Sequence, residues 1–129
     1  MRKRVLIAED EESIVTSLRF LMEQCGYQTH VARDGEAAVR SLDGFRPDLV
    51  LLDIMLPGKS GFEVCRAIRA DERLKETRVL MLTARGSAAD EARGFSAGAD
   101  AYVTKPFATR DLVARAKALL AEGPRTPTP

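Results

Sequence analysis

The 129-residue chain has no long apolar run, no excess of either charge, a single histidine and only two cysteines, and each shortage closes off a class of function. Its longest hydrophobic stretches, such as Leu49 to Leu52 and Val79 to Leu82, fall far short of the roughly 20 residues needed to span a bilayer, so no membrane segment is expected. Arg2, Lys3 and Arg4 pass into a strand-like run that ends at acidic residues, without the apolar stretch and small-residue site of a cleavable leader; a cytoplasmic location is expected. The 20 Lys and Arg nearly cancel the 19 Asp and Glu, which leaves no global field to hold the protein on nucleic acid or an anionic membrane. Cys25 and Cys65 lie far apart without CxxC or metal-finger spacing, and both fall on apolar helix faces as small core hydrophobes. His30 falls in an outer strand and reads as a surface or packing residue.

What is present is enough hydrophobic material, 45% of the residues, for one core, in a length that suits one domain. Five short aliphatic runs recur with helical patterns between them: Arg4–Ala8, Gln28–Ala32, Leu49–Asp53, Val79–Thr83 and Ala101–Thr104. This is the β-α-β rhythm of a parallel sheet. In the first helical stretch Ile14, Leu18, Leu21, Met22 and Cys25 keep to one face of a 3.6-residue period, and Gly26 stops it. A second helix is predicted from about Glu36 to Leu42, a third around Val64, Cys65, Ala67 and Ile68, a weak Ala/Gly-rich fourth over Ala88–Phe95, and a fifth carrying Leu112, Val113, Ala116, Leu119 and Leu120. Strands one, three and four are nearly continuous apolar runs, as central strands covered on both faces must be. The prediction is a doubly wound α/β domain of five parallel strands and five helices over residues 1–122. Gly123 to Pro129 holds three prolines and no apolar residue, which predicts a disordered tail or the start of a linker.

Ligands of such sheets sit where loops leave the C-terminal ends of the strands. There strand one ends in Glu9-Asp10, strand three in Asp53, strand four in Thr83, and strand five in Lys105 followed by Pro106. Clustered carboxylates repel one another unless a cation takes up the charge, and an all-oxygen donor set points to Mg²⁺, with Mn²⁺ as a substitute. Phosphoryl transfer asks mainly for positioning and for neutralised charge, which a metal and the Lys105 ammonium would supply. A carboxylate can serve as the nucleophile, and Asp53, on the central strand between the acidic pair and Lys105, is the best placed. Taken singly, Asp10 and Glu11 could merely cap a helix, Thr83 could be an ordinary strand-end hydroxyl, and Lys105 a solvated loop lysine. Asp53 resists such an account, because an acid directly after a buried strand needs a partner or a cation to offset desolvation.

Four stretches, Val5-Leu6-Ile7-Ala8-Glu9-Asp10-Glu11, Asp48 through Gly58, Leu82-Thr83-Ala84 and Gly98 through Phe107, resemble in order and separation the signature blocks of response-regulator receiver domains of two-component systems. The resemblance implies a flavodoxin-like fold with strand order 2-1-3-4-5 and a phosphorylation-controlled switch, not an enzyme that turns over free substrates. It implies that Asp53 accepts the phosphoryl group from a partner histidine kinase or phosphotransfer protein. Glu9, Asp10, Asp53 and the Met55 carbonyl would hold Mg²⁺, Glu9 through water. Thr83 and Lys105 would contact phosphate oxygens, Tyr102 would move inward with Thr83, and the Lys105-Pro106 peptide would be cis. The face of helix four, strand five and helix five would meet a downstream protein. Two positions thought to tune phosphate lifetime carry long side chains, Met55 and Arg85, and a long-lived phosphorylated state is expected. Glu9 departs from the family, where many relatives have Asp.

Winged-helix transcription factors of the family dimerise through three charge pairs on that same face. Here Glu91 faces the acid Asp111, Ala101 stands where Arg115 needs an acid, and only Asp100 with Lys117 remains, so that dimer is disfavoured. Every helix is claimed by the sheet and none is left to read DNA, which favours a stand-alone regulator over the N-terminal half of a larger DNA-binding one. A flavodoxin-like cofactor carrier would need the acidic loop Glu9-Asp10-Glu11-Glu12 to accept a phosphate. A phosphohydrolase would place Asp-x-Asp-x-Thr after strand one, which is absent. A purely structural module would have no need of three acids and a lysine at one sheet edge.

Overall fold

The computed structural model describes residues 2–84, 88–123 and 125. Five strands, β1 (Arg4–Ala8), β2 (Gln28–Ala32), β3 (Leu49–Asp53), β4 (Arg78–Ala84) and β5 (Ala101–Lys105), alternate with five helices, α1 (Glu12–Gln24), α2 (Gly35–Phe45), α3 (Gly61–Ala70), α4 (Ala88–Ala97) and α5 (Thr109–Ala121). All pairings are parallel, in the order β2-β1-β3-β4-β5, so the predicted topology is the observed one. A 3-10 turn at Glu72–Leu74 follows α3, and β4 begins one residue earlier and ends one later than its apolar run.

The two-residue alternation of the strands sorts their side chains into two cores. Val5, Ile7, Leu51 and Leu80 face Leu18 and Met22 of α1 and Leu112 and Ala116 of α5, while Leu6, Val50, Leu52 and Met81 face α2, α3 and α4. Strand β3 is buried along its whole length, and each fully buried Leu or Val contributes about 1.5–3 kcal/mol relative to exposure. Helix α1 turns Val15, Leu18 and Met22 inward, with Ile14 and Leu21 only partly covered. Helix α4 buries just Gly94 and Ala97, fewer residues than any of the other four helices. His30 is exposed, its ring 5.4 Å from Phe45.

At the opposite end of the sheet from Asp53 lies a charged cluster that the sequence does not announce. The Asp100 carboxylate, directly before β5, accepts from Arg69 Nη2 of α3 and from the Val79 N–H, each at 2.8 Å, and from Arg125 Nε at 2.8 Å. Two expectations change. Asp100 is not free for Lys117, and Arg115 pairs along its own helix with Asp111 at 3.4 Å. Arg125, in the stretch expected to have nothing to bury, docks through ion pairing instead of apolar contact.

Candidate functional site

Parallel strands bring the residues after β1, β3 and β5 to one edge, where Glu9, Asp10, Asp53, Met55, Ala84 and Lys105 line a cleft of about 360 Å³. Local sequence shapes its floor. Ser60 caps α3 and Glu63 returns the bond, a capping box that fixes where the helix starts. Gly61 then lets that start press against the end of β3: a Cβ there would lie 2.5 Å from the Asp53 carbonyl oxygen. The Ser60-x-x-Glu63 spacing is the sequence signal for this support.

Asp53 is 4% exposed. Its Oδ1 accepts from the Met55 N–H at 3.0 Å, and its Oδ2 lies 3.2 Å from Lys105 Nζ. Glu9 is fully buried; Oε2 accepts from the N–H groups of Asp10 and Glu11 at 3.0 Å each. Its Oε1 meets Lys105 Nζ at 2.6 Å, closer than Asp53 does, yet it has no hydrogen bond of good geometry. Burial raises the Glu9 carboxyl above the ordinary carboxylate range, against the opposing pull of Lys105 and of the Glu11 N–H. Burial alone would lower Lys105, but the close contact with Glu9 and the charges of Asp53 and Glu9 outweigh it and hold the ammonium above its usual range.

One oxygen from each of Glu9, Asp10 and Asp53 falls within 4.8 Å of the others. A buried, poorly satisfied Oε1 beside an exposed Asp10 and a nearly buried Asp53 is a donor set with one ammonium to balance three acids, and it fits a small, hard divalent cation. The side chain of Met55 is 75% exposed at the mouth of the cleft, while its main chain is fixed by the bond to Asp53. Arg85 lies outside the described residues.

Thr83 is buried on β4, and its hydroxyl donates to the Ala84 carbonyl at 3.1 Å, so it is near the cleft without facing Asp53 through any hydrogen bond. Tyr102 on β5 lies across a narrow seam it shares with Thr83, Ile54 and Gly94, and it meets the Phe95 ring edge-on at 5.6 Å. The Lys105-Pro106 peptide is cis.

A family model described as the response regulator receiver domain matches residues 5–117. The alkaline phosphatase synthesis transcriptional regulatory protein PhoP of Bacillus subtilis (strain 168) is 44% identical over 120 residues, 93% of this chain and 49% of that protein, so the chain spans about half the length of this curated relative. A solved structure from Chloroflexus aurantiacus J-10-fl, described as a response regulator, is 34% identical with a TM-score of 0.90 and covers 95% of this chain and 100% of that one. The receiver domain of a sensor histidine kinase from Pseudomonas aeruginosa PAO1, solved with a magnesium ion in its active site cleft, is 29% identical with a TM-score of 0.86 over 95% of this chain and 100% of that one. No helix among the described residues is long and apolar enough to cross a membrane.

Proposed function

The chain belongs to the response regulator receiver domain family, whose members are phosphorylation-driven switches that work with histidine kinases or phosphotransfer proteins and with downstream targets, and on that premise we propose that Asp53 is its phosphoacceptor. The observation that carries this is the placement of Asp53: a nearly buried carboxylate at the end of the central strand, 3.2 Å from an ammonium and beside two further acids. An Asp53 carboxylate oxygen attacks the phosphorus of a phosphohistidine; the P–O bond forms as the P–N bond breaks, and the imidazole leaves with its electron pair and takes up a proton. Lys105 neutralises one of the spreading oxygens, which requires it to relax from Glu9 toward the phosphoryl group. Glu9, Asp10, Asp53 and the Met55 carbonyl would hold Mg²⁺, or Mn²⁺ in its place, which when bound supplies neutralising charge and orientation.

Switching is a population shift. Phosphate offers acceptor oxygens that the Thr83 hydroxyl reaches only by giving up Ala84, and Tyr102 follows into the seam that Thr83 vacates. The surface of α4, β5 and α5 then presents a changed face to a protein target in the cytoplasm. Met55, and Arg85 with it, would screen the aspartyl phosphate from water. No basic recognition helix is spare among the described residues, which supports docking on a protein as the output instead of DNA binding by this chain. A second reading is favoured by the half-length match to a transcriptional regulatory protein: the domain regulates a DNA-binding half. The mass of the protein expressed from its own gene separates the two.

The test of phosphoacceptance is incubation with Mg²⁺ and acetyl phosphate or phosphoramidate, read by intact mass. A gain of one phosphoryl group that needs the metal and vanishes in Asp53→Asn is expected. No gain with either donor, or an equal gain in Asp53→Asn, would sink the assignment.

A further inference from the structure

The cluster at the far end of the sheet carries an inference independent of phosphoryl acceptance. Asp100 has 11% of its side chain exposed, and Arg69, Arg78 and Arg125 are covered to a similar degree, at 15%, 10% and 11%. Arg69 and Arg78 come from a helix and a strand. Arg125 comes from the chain beyond α5, where a lone arginine would ordinarily stay in water, since burying a guanidinium is costly unless hydrogen bonds replace its hydration.

Those bonds are present. Arg125 donates from Nε to Asp100 Oδ1 at 2.8 Å and from Nη2 to the Gly98 carbonyl at 3.1 Å, and its own main-chain N–H donates to Glu76 Oε2 at 2.6 Å. The Gly98 carbonyl also accepts from Arg69 Nε at 2.8 Å, and Arg78 Nη2 donates to the Gly123 carbonyl at 2.6 Å. Gly98 has φ +109°, and a Cβ there would lie 2.5 Å from Arg69 Cγ, so this turn requires glycine both for its backbone and for the space Arg69 occupies. The same few atoms thus hold the turn that ends α4, the start of β5 and the chain leaving α5.

We propose that Arg125 completes a latch: the buried Asp100 carboxylate ties the chain leaving α5 to the C-terminal end of α4, so that the folded unit extends to Arg125 and whatever follows it is coupled to any movement of α4. Helix α4 is held at this end by charged hydrogen bonds, while along its length it buries only Gly94 and Ala97.

Arg125→Ala leaves Asp100 with Arg69, so the fold should survive and the latch alone should open. Amide hydrogen exchange of the full chain by NMR is the measurement. In Arg125→Ala the amides of Val79, which donates to Asp100, and of Asp100, which donates to the Val79 carbonyl, should exchange at least tenfold faster, with Leu51 and Leu52 of β3 unchanged. Arg125→Lys keeps the charge but cannot span Asp100 and Gly98 together, and should fall between. Rates at Val79 and Asp100 within twofold of wild type in Arg125→Ala would overturn the latch. So would an equal acceleration at Leu51, because that effect would be global unfolding.

Discussion

The two ends of the sheet carry inverted versions of one charge pattern. At the C-terminal edge three acids, Glu9, Asp10 and Asp53, face one ammonium, Lys105. At the base three guanidiniums, Arg69, Arg78 and Arg125, face one carboxylate, Asp100. The difference lies in how the surplus is satisfied. The surplus arginines find backbone carbonyls, of Gly98, Thr77 and Gly123, so the base closes on itself. The buried carboxylates of Glu9 and Asp53 have only N–H groups and the single lysine to turn to, and one Glu9 oxygen lacks a good hydrogen bond. The charge imbalance at the base is satisfied within the fold; at the cleft the surplus of acids fits a bound cation.

The sharpest way to break this comparison is to remove the central charge at each end. Asp100→Ala leaves three buried guanidiniums without a counter-ion, and is expected to cost about 3–5 kcal/mol in urea denaturation, a deficit from wild type that stays the same when both proteins are given Mg²⁺. Lys105→Met leaves the buried Glu9 and Asp53 without their cation, in a cleft that is open to water only at its mouth beside Asp10, so a loss of about 2–3 kcal/mol is expected without metal. Here Mg²⁺ should shrink the deficit from wild type, because the cation replaces the lost ammonium on Glu9 and Asp53 and binds this variant more tightly, each tenfold gain in affinity adding about 1.4 kcal/mol. Deficits from wild type that respond equally to Mg²⁺ in the two variants would erase the distinction between structural and functional charge. Asp53→Asn, which removes a repulsion as well as a contact, should leave the metal-free protein within about 1 kcal/mol of wild type.

The two ends also differ in how far the sequence discloses them. The strands were legible because β1, β3 and β4 are near-continuous aliphatic runs, and parallel pairing alone then requires Glu9, Asp53, Thr83 and Lys105 to meet. The base was illegible for the same physical reason in reverse. Arg69, Arg78 and Arg125 belong to a helix, a strand start and a Pro-rich stretch, and each alone looks like a solvated charge. Asp100 is visible within a family block, and the sequence pairs it with Lys117 across a dimer because such charge pairs can be counted in a sequence, while the inward rotamer that meets Arg69 and the Val79 N–H cannot. Nor does spacing reveal that Lys105 sits nearer Glu9 than Asp53; that follows from the extra methylene of Glu and from its complete burial.

A smaller test sits at the cleft. If Met55 and Arg85 screen the acyl phosphate, the Met55→Ala, Arg85→Ala double variant should lose phosphate severalfold faster than wild type, followed by intact mass after donor removal. Slower loss in the double variant would reverse the role given to these side chains.

The smallest expected effect is chemical reporting from the base. Cys65 lies one helical turn before Arg69, is fully buried, and has its thiol pushed up to about 11 by burial, only partly offset by the charge of Arg69. The thiolate is the reactive form, so at pH 8 Cys65 should label with a maleimide far more slowly than the half-buried Cys25 just past the end of α1. Because α3 is pinned to the base through Arg69, opening the latch with Arg125→Ala should raise Cys65 labelling modestly and leave Cys25 unchanged. A rise at both cysteines would point to loosening of the whole domain, whereas a rise at Cys65 alone would show that the charged base keeps this side of the core closed.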